Sequence, residues 1–517
     1  MTTSSVPRRG VLRTLALAAL LGGMMPVWHP TASASEQETF ALTIRHLDRA
    51  GHPTADYTTH VTGLSGPGAD QAVEPYDGSG TTTVRLPRGR YMLDSAIEGA
   101  GTDFLVQPRL DLDRDTTVTV DARTTAPVDV RPPDPSAEFQ HSGMFVEVAH
   151  DDGTSRLANI LNSGTNLRVA HLGPEAEPGS VRQWFDAYWM TDTGGYALGQ
   201  TFTGTRALTG LTRRYAEEEL ATLRIRGAAR PGTTGTASVA LQPTSGPTVG
   251  VSGNLTTPTT ATYFVTPDRG TWDVVYETLG TSGSVLNRYI ADRIALRAGT
   301  TTTRTFDNAV FGPALADRPG VERDGDRLTV DVPLLADGDG HVPRSPSYDT
   351  ASTALYRDGA LVDSVSGAPG RAEFTVPSAP AAYRLTSTAH RKHATGATTR
   401  VTASWTFASG TTTGPAPVPV SVVRFSPELG PTGTAAANTT VRVPVTVEGA
   451  AANGRLRSLE VRASTDGGTS WTRLPVDDGA VTIHNPSAGA GVSLYAELTD
   501  TDGNTLEQTI VDAYRTR

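Results

Sequence analysis

The sequence predicts an all-β protein built from tandem β-sandwich domains, and three observations lead to this fold class. Apolar and polar residues alternate with a period of two, as at Phe40, Leu42 and Ile44, which is typical of strands with one buried face. The 53 glycines and 35 prolines separate such runs and favour turns. Helical periodicity is sparse, because the best helix candidate, residues 215–223, is short and leads into a strand-like alternation.

Residues 1–34 have the composition of an export signal peptide. Arg8 and Arg9 supply a positive start, an apolar run extends from Leu12 to Met25, and Ala32-Ser33-Ala34 offers the small residues that signal peptidase requires. The apolar run is too short for a stable membrane anchor. We therefore expect cleavage after Ala34 and a secreted, extracellular protein that does not insert into the membrane. The paired arginines also resemble a twin-arginine signal, so general and twin-arginine export are both compatible with this segment.

Charge and cysteine content exclude several functional classes. The formal net charge is −10, and removal of residues 1–34, which contain three arginines and no acid, makes the remaining chain more acidic. Nucleic acids and anionic lipids require basic surfaces, so we expect neither as a partner. The chain contains no cysteine, which excludes disulfides, thiol catalysis and cysteine-bound metals.

The first predicted domain covers residues 35–125. It contains the segments Leu47-Asp48-Arg49-Ala50-Gly51 and Leu86-Pro87-Arg88-Gly89-Arg90-Tyr91. The second segment fits a hairpin, which needs glycine at a turn position and is followed here by an aromatic residue on the core face. On these residues the domain resembles the carboxypeptidase-regulatory or prealbumin-like β-sandwich. We expect it to end at Pro127, just before the proline-rich residues 131–135.

Three further domains and a linker are predicted along the rest of the chain. Residues 126–312 are a β-rich middle region, either one large domain or two small sandwiches that meet near Ala207. Residues 313–408 are predicted to form another β-sandwich. A linker rich in Gly, Thr and Pro follows at residues 409–419, and residues 420–517 are predicted to form an Ig-like β-sandwich.

Three short fragments mimic the triad of a subtilisin-like serine peptidase, at His60, Asp192 and Ser282. Geometry defines such a triad, but the order in subtilisin-like enzymes is Asp, His, Ser, whereas His comes first here. The three residues fall in two predicted domains, and no Gly-x-Ser-x-Gly elbow lies in a strand–turn–helix setting. We therefore predict no catalytic residues, and a serine peptidase or another secreted hydrolase is the alternative.

Residues 464–471 fit the Asp-box pattern Ser-x-Asp-x-Gly-x-x-Trp, with Ser464, Asp466, Gly468 and Trp471 at the four defined positions. In such a turn the carboxylate accepts backbone N–H groups, the glycine takes a positive φ and the tryptophan packs under the hairpin. We expect a structural role for this motif, and a glycan contact is the alternative.

Trp184, Tyr188 and Trp189 are the candidate binding surface. Three large aromatic residues within six positions could form a platform on which sugars or peptides stack, and the alternative is that they form the core of the middle region.

Two acidic clusters could hold Ca²⁺, one at Asp111, Asp113 and Asp115 and the other at Asp337 and Asp339. Neither supplies the ligand spacing and closing glutamate of an EF-hand loop, so solvated turns are the default expectation and we predict no cofactor.

Four segments carry a family resemblance, namely residues 41–51, 311–313, 401–407 and 498–510. With them, the chain from Phe40 to Arg517 resembles the C-terminal accessory region of large secreted subtilisin-like serine peptidases of actinobacteria. In that family these β-domains follow the protease domain. Here the signal runs directly into the accessory region, so the resemblance implies a chain without the family's triad.

The sequence therefore predicts a secreted, non-catalytic, multi-domain β protein that acts as a binding or stabilising module. The resemblance implies domains that support substrate engagement or the stability of an exported protease. The expected partner is an extracellular protein or a polysaccharide, and a glycan-binding module is a further alternative.

Overall fold

The fold is all-β, as predicted. A computed structural model describes residues 38–150, 153–164, 166–229, 234–315, 318–391 and 397–517; the predicted signal peptide, residues 1–34, lies outside these ranges. Strands contain 59% of the described residues and helices 3%. The helices of the described residues are single 3-10 turns at Gly66–Gly68, Ala122–Thr124, Glu217–Glu219 and Pro267–Arg269. None of the helices in the described ranges is long and apolar enough to cross a membrane.

The strands are numbered in chain order. The first part of the described chain contains β1 Thr39–Leu47, β2 Tyr57–Ser65, β3 Ala72–Val73, β4 Thr81–Pro87, β5 Gly89–Glu98, β6 Thr102–Leu112, β7 Thr116–Asp121, β8 Ala126–Arg131, β9 Glu138–Ala149, β10 Ser155–Asn162, β11 Leu167–His171, β12 Val181–Thr191, β13 Gly194–Gly204, β14 Leu211–Arg214, β15 Ala221–Gly227, β16 Gly235–Pro243, β17 Val251–Thr257, β18 Thr259–Val265, β19 Thr271–Leu279, β20 Val285–Ala295 and β21 Thr301–Phe306.

The second part contains β22 Val321–Asp324, β23 Arg327–Asp331, β24 Thr350–Arg357, β25 Ala360–Ser366, β26 Arg371–Thr375, β27 Ala381–His390, β28 Arg400–Ser409, β29 Ala416–Pro417, β30 Ser421–Phe425, β31 Thr434–Ala435, β32 Thr440–Gly449, β33 Leu456–Ser464, β34 Thr472–Leu474, β35 Ala480–His484, β36 Gly491–Asp500 and β37 Thr505–Thr516.

Four sheets organise the first part of the described chain. Sheet I has the order β4-β1-β7, and sheet II has the order β14-β8-β11-β6-β5-β2-β3. Sheet III has the order β10-β9-β12-β13-β18-β15-β21, and sheet IV has the order β17-β16-β19-β20. Sheet II is mixed, since β11 pairs with β6 in parallel and with β8 antiparallel.

The central strands of sheets II and III are buried on both faces. On β5 and β6 of sheet II, Leu93 and Leu105 pack with residues of sheet I, whereas their neighbours Met92 and Phe104 pack with residues of sheet III. Strands of sheet III pack against sheet II on one face and against sheet IV on the other, where they form a further hydrophobic core. Because successive residues of a strand point to opposite faces, the four sheets form a stack with a hydrophobic core between each neighbouring pair.

The second part of the described chain has one hydrophobic core. Sheet V (β26-β23-β22-β29), sheet VI (β25-β24-β27-β28-β37-β36-β33-β34, with β31 on β37) and sheet VII (β30-β32-β35) all contribute buried residues to it. Trp405 on β28 is fully buried there, and its Nε1–H donates to the Ser421 carbonyl oxygen at 2.7 Å.

Three of the predicted domain boundaries do not coincide with breaks between sheets. The boundary at residue 125 is wrong because β8, β11 and β14 extend the sheet of the first predicted domain. Pro127 lies near the start of β8, a strand position that tolerates proline. The boundary within residues 409–419 is wrong because β28 pairs with β37, which joins the two predicted C-terminal domains in one sheet. β29, inside the predicted linker, pairs with β22. Sheet III contains strands from both sides of Ala207, so no break between sheets lies at the division considered there.

A buried histidine lies between sheets I and II. The Nδ1 atom of His46 is 3.2 Å from the Gly80 carbonyl oxygen, and its Nε2 atom is 2.7 Å from Thr59 Oγ1. A carbonyl only accepts, so Nδ1 carries the proton and Nε2 accepts from the Thr59 hydroxyl, which in turn accepts from Ser95 at 2.8 Å. Burial lowers the pKa of His46 to about 4 from its ordinary 6.5.

This histidine predicts a loss of stability in mild acid. Its pKa in the folded state lies below that in the unfolded state, so the unfolded chain binds the proton more readily. The contribution is complete above pH 6.5 and is lost as the pH falls towards 4. It amounts to about 3 kcal/mol of unfolding free energy at about 1.4 kcal/mol per pKa unit. Urea unfolding at pH 7.5 and 4.5 measures it, with His46→Gln as the reference without this titration. Equal pH dependence in both proteins would contradict the assignment.

Candidate functional site

The three aromatic residues predicted as a binding platform are buried. Trp184, Tyr188 and Trp189 lie on β12, between β9 and β13 in sheet III. Trp189 packs in the core between sheets II and III, with its ring edge-on to Phe139 at 5.1 Å, and Tyr188 packs in the core between sheets III and IV. An exposed stacking platform at these residues is therefore wrong, because both faces of this strand are covered.

The same strand carries a buried ion pair. Asp186 contacts Arg269 through two hydrogen bonds, Nε to Oδ1 at 3.0 Å and Nη2 to Oδ2 at 3.2 Å, and both side chains are buried. Arg269 also donates to the carbonyl oxygens of Ser245 and Pro247, both at 2.8 Å. Gly199 lies opposite Asp186 on β13, and a Cβ there would be 2.6 Å from both side chains of the pair. These contacts are structural and bring no reactive group to the surface.

The serine-peptidase fragments are not assembled. His60 lies on β2 of sheet II, where its Nδ1 is 2.9 Å from Oδ2 of Asp94 on the neighbouring strand β5. Ser282 lies in the β19–β20 turn of sheet IV, and its hydroxyl is 3.1 Å from that of Ser284. Asp192 lies exposed in the β12–β13 turn. Thus the carboxylate partner of His60 is Asp94, and the hydroxyl partner of Ser282 is another serine.

The Asp-box residues form a compact turn. Asp466 Oδ1 accepts the backbone N–H groups of Thr469 at 3.0 Å and Ser470 at 2.9 Å, while the Ser464 hydroxyl accepts from the Gly468 N–H at 2.9 Å. Gly468 has φ +86. The Trp471 indole donates to the Gly468 carbonyl oxygen at 3.1 Å. Hydrogen bonds from Ser464 and Ser470 hold the pKa of Asp466 well below its usual range. Every contact in this set acts within the hairpin.

Members of both acidic clusters are engaged by the protein itself. Asp111 forms ion pairs with Arg109 at 2.8 Å and Arg90 at 3.2 Å. Asp337 is fully buried and accepts backbone N–H groups, including that of His341 at 2.9 Å. Burial raises the pKa of Asp337. Within the ranges that the structure describes, no group of three or more His, Asp or Glu side chains is arranged to hold a metal ion.

A cleft of about 960 Å³ lies where one end of sheet IV meets the second part of the chain. Leu286, which lines it, is 59% exposed. Apart from Leu279, Leu286, Pro346 and small residues, its lining carries polar side chains that can donate or accept hydrogen bonds, namely Thr234, Thr236, Thr256, Thr257, Thr278, Thr281, Asn287, Tyr289, Asp307, Ser345, Ser347 and Arg391. We refer to these residues together as the threonine-lined cleft.

Hydrogen bonds hold the two walls of the threonine-lined cleft together. The Arg344 N–H donates to the Arg288 carbonyl oxygen at 2.9 Å, which joins the segment before β24 to β20. On the second wall, Arg391 Nε donates to the Ser347 carbonyl oxygen at 3.0 Å. At the base, the Tyr289 hydroxyl donates to Asp307 Oδ1 at 2.6 Å. The walls are therefore fixed relative to each other before any ligand binds.

Sequence reasoning missed this cleft. Its lining comes from six separated segments, and its threonines resemble those on any solvated strand face. Of the sequence motifs, only the Gly280-Thr281-Ser282 fragment lies near the cleft, and it was considered as part of a serine-peptidase triad and not as a binding site. A cleft with convergent polar groups is the default location for a binding site.

Comparison with known proteins gives little help in assigning a function. No protein-family model matches the chain, and no curated protein matches it. The Bacillus anthracis TIE protein matches with 10% identity and a TM-score of 0.12 over 52% of this chain and 50% of that one, so the chain spans half of that structure. The Streptococcal ancillary pilin matches with 11% identity and a TM-score of 0.12, over 52% and 99% of the two chains. A tetra-tandem repeat from the extending region of a large adhesion protein has 11% identity and a TM-score of 0.13, over 92% and 100%. With TM-scores this low, functional inference rests on the geometry of this chain alone.

Proposed function

We propose that the protein is a secreted, non-catalytic binding module that holds a neutral polysaccharide in the threonine-lined cleft. The single observation that carries this proposal is the hydroxyl-rich lining of a cleft whose walls are already joined. An export signal at residues 1–34 and a role beside a separate exported protease, which the family resemblance implies, are parts of the same proposal.

The chemistry of the lining favours a neutral ligand rich in hydroxyl groups. Threonine and serine hydroxyls both donate and accept hydrogen bonds, as sugar hydroxyls do. Tyr289 donates to the Asp307 carboxylate, so that acid already has a partner within the protein. Leu279, Leu286 and Pro346 add apolar surface against which the C–H face of a sugar ring can pack. Because the wall-to-wall hydrogen bonds are formed in advance, little ordering cost opposes binding.

The cleft predicts a variant that loses binding without losing stability. Leu286 is 59% exposed, so Leu286→Asp should leave the melting temperature nearly unchanged. The new carboxylate would lie in the cleft and demand hydration, which should weaken retention on the best-bound insoluble polysaccharide at least tenfold. The measurement is a pull-down of the purified mature chain on a panel of insoluble polysaccharides, followed by binding isotherms.

The matched control is Leu361→Asp. Leu361 is 58% exposed on β25, near the tip of the β24–β25 hairpin, whereas the cleft wall adjoins the opposite end of β24. Its substitution should leave binding unchanged. Equal retention of the wild type and the Leu286→Asp variant on every polymer that binds would contradict the proposal, as would failure of every polymer to bind.

A further inference from the structure

An open strand edge lies on the far side of the stack from the threonine-lined cleft. β10 is the outermost strand of sheet III, has eight residues, and pairs only with β9 within the described residues. Leu157 and Leu161 on its outer face are 49% and 59% exposed. Edge strands usually carry charges or proline on such a face to prevent pairing with other chains, and β10 carries leucines instead.

A groove runs beside this edge. It has a volume of about 420 Å³ and is lined by Leu157 and Asn159 of β10, by residues of β2, β3 and β5 that include His60 and Asp94, and by Glu74, which directly follows β3. Asp94 lies on the same face of β5 as Met92, which packs against sheet III. Sheet II therefore extends beyond the edge of sheet III, and its side chains form a polar floor next to the open strand.

We propose that the β10 edge and this floor bind one extended polypeptide segment of another protein, which adds to sheet III as an extra antiparallel or parallel strand. This site is separate from the threonine-lined cleft and does not depend on the function proposed for it. Strand addition takes its affinity from backbone hydrogen bonds and its specificity from alternate side chains.

The two faces of the added strand define the chemistry of the partner. Side chains on one face continue the exposed surface of Leu157 and Leu161, so apolar residues are favoured there. Side chains on the other face meet the floor, where the exposed carboxylate of Glu74 favours a basic residue, whereas Asp94 is buried and already pairs with His60. The expected ligand is thus an extended segment in which apolar residues alternate with arginine and threonine.

A second copy of this chain fits the site less well than a single strand. If β10 paired with β10 of a second copy, the two copies of sheet III would join into one sheet. The two copies of sheet II would then lie side by side on the same face of that joined sheet. The floor already occupies that space with β2 and β3, about 10 Å at the usual strand spacing. A space of this width accommodates one or two added strands. It does not accommodate sheets II and III of a second copy of the chain.

The test uses a fluorescein-labelled octapeptide with alternating valine and arginine or threonine, and anisotropy as the readout with the purified mature chain. The wild type should bind it, and Glu74→Arg should weaken binding at least tenfold, since Glu74 is exposed and its substitution should not affect folding. A peptide with glutamate in place of arginine should bind the Glu74→Arg variant better than the wild type. Methylation of alternate backbone nitrogens of the peptide, which removes N–H donors, should abolish binding.

Asp363→Arg on β25, the exposed edge strand of sheet VI, is the control and should change nothing. Absence of binding, or equal binding by the wild type and Glu74→Arg, would overturn the proposal. So would full binding by the N-methylated peptide. A dimer in light scattering that Leu157→Asp dissociates would assign the edge to a second copy instead.

Discussion

Asp186→Ala is expected to cost about 3–5 kcal/mol of unfolding free energy, the range found when one partner of a buried ion pair is removed. Arg269 would keep its two carbonyl acceptors but would lose both hydrogen bonds to the carboxylate. A guanidinium that is fully buried cannot regain water without moving the loop that covers it. Chemical unfolding of the variant at neutral pH measures the loss.

Two further variants separate the ion pair from general damage. Asp129→Ala removes a half-buried carboxylate that pairs with Arg131 at 2.8 Å and with Arg214, both of them partly exposed, and should cost only about 1 kcal/mol. The double variant Asp186→Leu with Arg269→Met replaces the pair by apolar side chains and should recover much of the loss. If Asp186→Ala were as mild as Asp129→Ala, the pair would not be buried as described.

Trp189→Ala is expected to cost about 3–5 kcal/mol, as for other buried aromatic residues that are truncated to alanine. The indole fills the core between sheets II and III and contacts Phe139, so its removal leaves a cavity between two sheets. The melting temperature should fall sharply. Polysaccharide binding measured below the new transition should be unchanged, because the ring does not line the threonine-lined cleft.

Tyr76→Ala provides the comparison for an exposed aromatic residue. Tyr76 is 60% exposed, and its substitution should change the stability by less than about 0.5 kcal/mol. Loss of binding by Trp189→Ala with an unchanged melting temperature would restore the platform hypothesis that the burial of this ring contradicts.

Local patterns in the sequence predict the fold class and several of the strands. The alternation at Phe40, Leu42 and Ile44 corresponds to β1, in which Leu42 and Ile44 are buried. The run from Trp184 to Trp189 is different, because apolar side chains occupy both faces of the strand. A run that is apolar on both faces, interrupted here only by Asp186, is typical of strands covered on both sides. It was the signal that these aromatic residues belong to two cores.

Local alternation of apolar and polar residues does not predict how the sheets are ordered. Proline-rich segments suggested domain boundaries, yet Pro127 lies within β8 and residues 416–417 form a strand inside the predicted linker. The parallel pairing of β6 with β11 joins residues more than fifty positions apart. The sequence of neither strand indicates which strand it pairs with. The order of the strands and sheets therefore depends on tertiary packing.

The candidate binding sites were equally hard to predict. The threonine-lined cleft collects side chains from residue 228 to residue 391, and the groove beside β10 joins residue 60 to residue 159. Threonine, asparagine and exposed leucine occur widely along the chain. Only their convergence in space distinguishes the residues that line the cleft and the groove.

Hydrogen–deuterium exchange with and without the best-bound polysaccharide tests the central claim most directly. The claim is that ligand binds in the threonine-lined cleft while the aromatic residues of β12 are structural. Bound polysaccharide should slow exchange in residues 278–281, 286–287 and 345–347, which line the cleft. Residues 184–189 should exchange slowly in both states, because they lie in the centre of sheet III. Protection that appears at residues 184–189 on binding, with none at the cleft, would contradict this account.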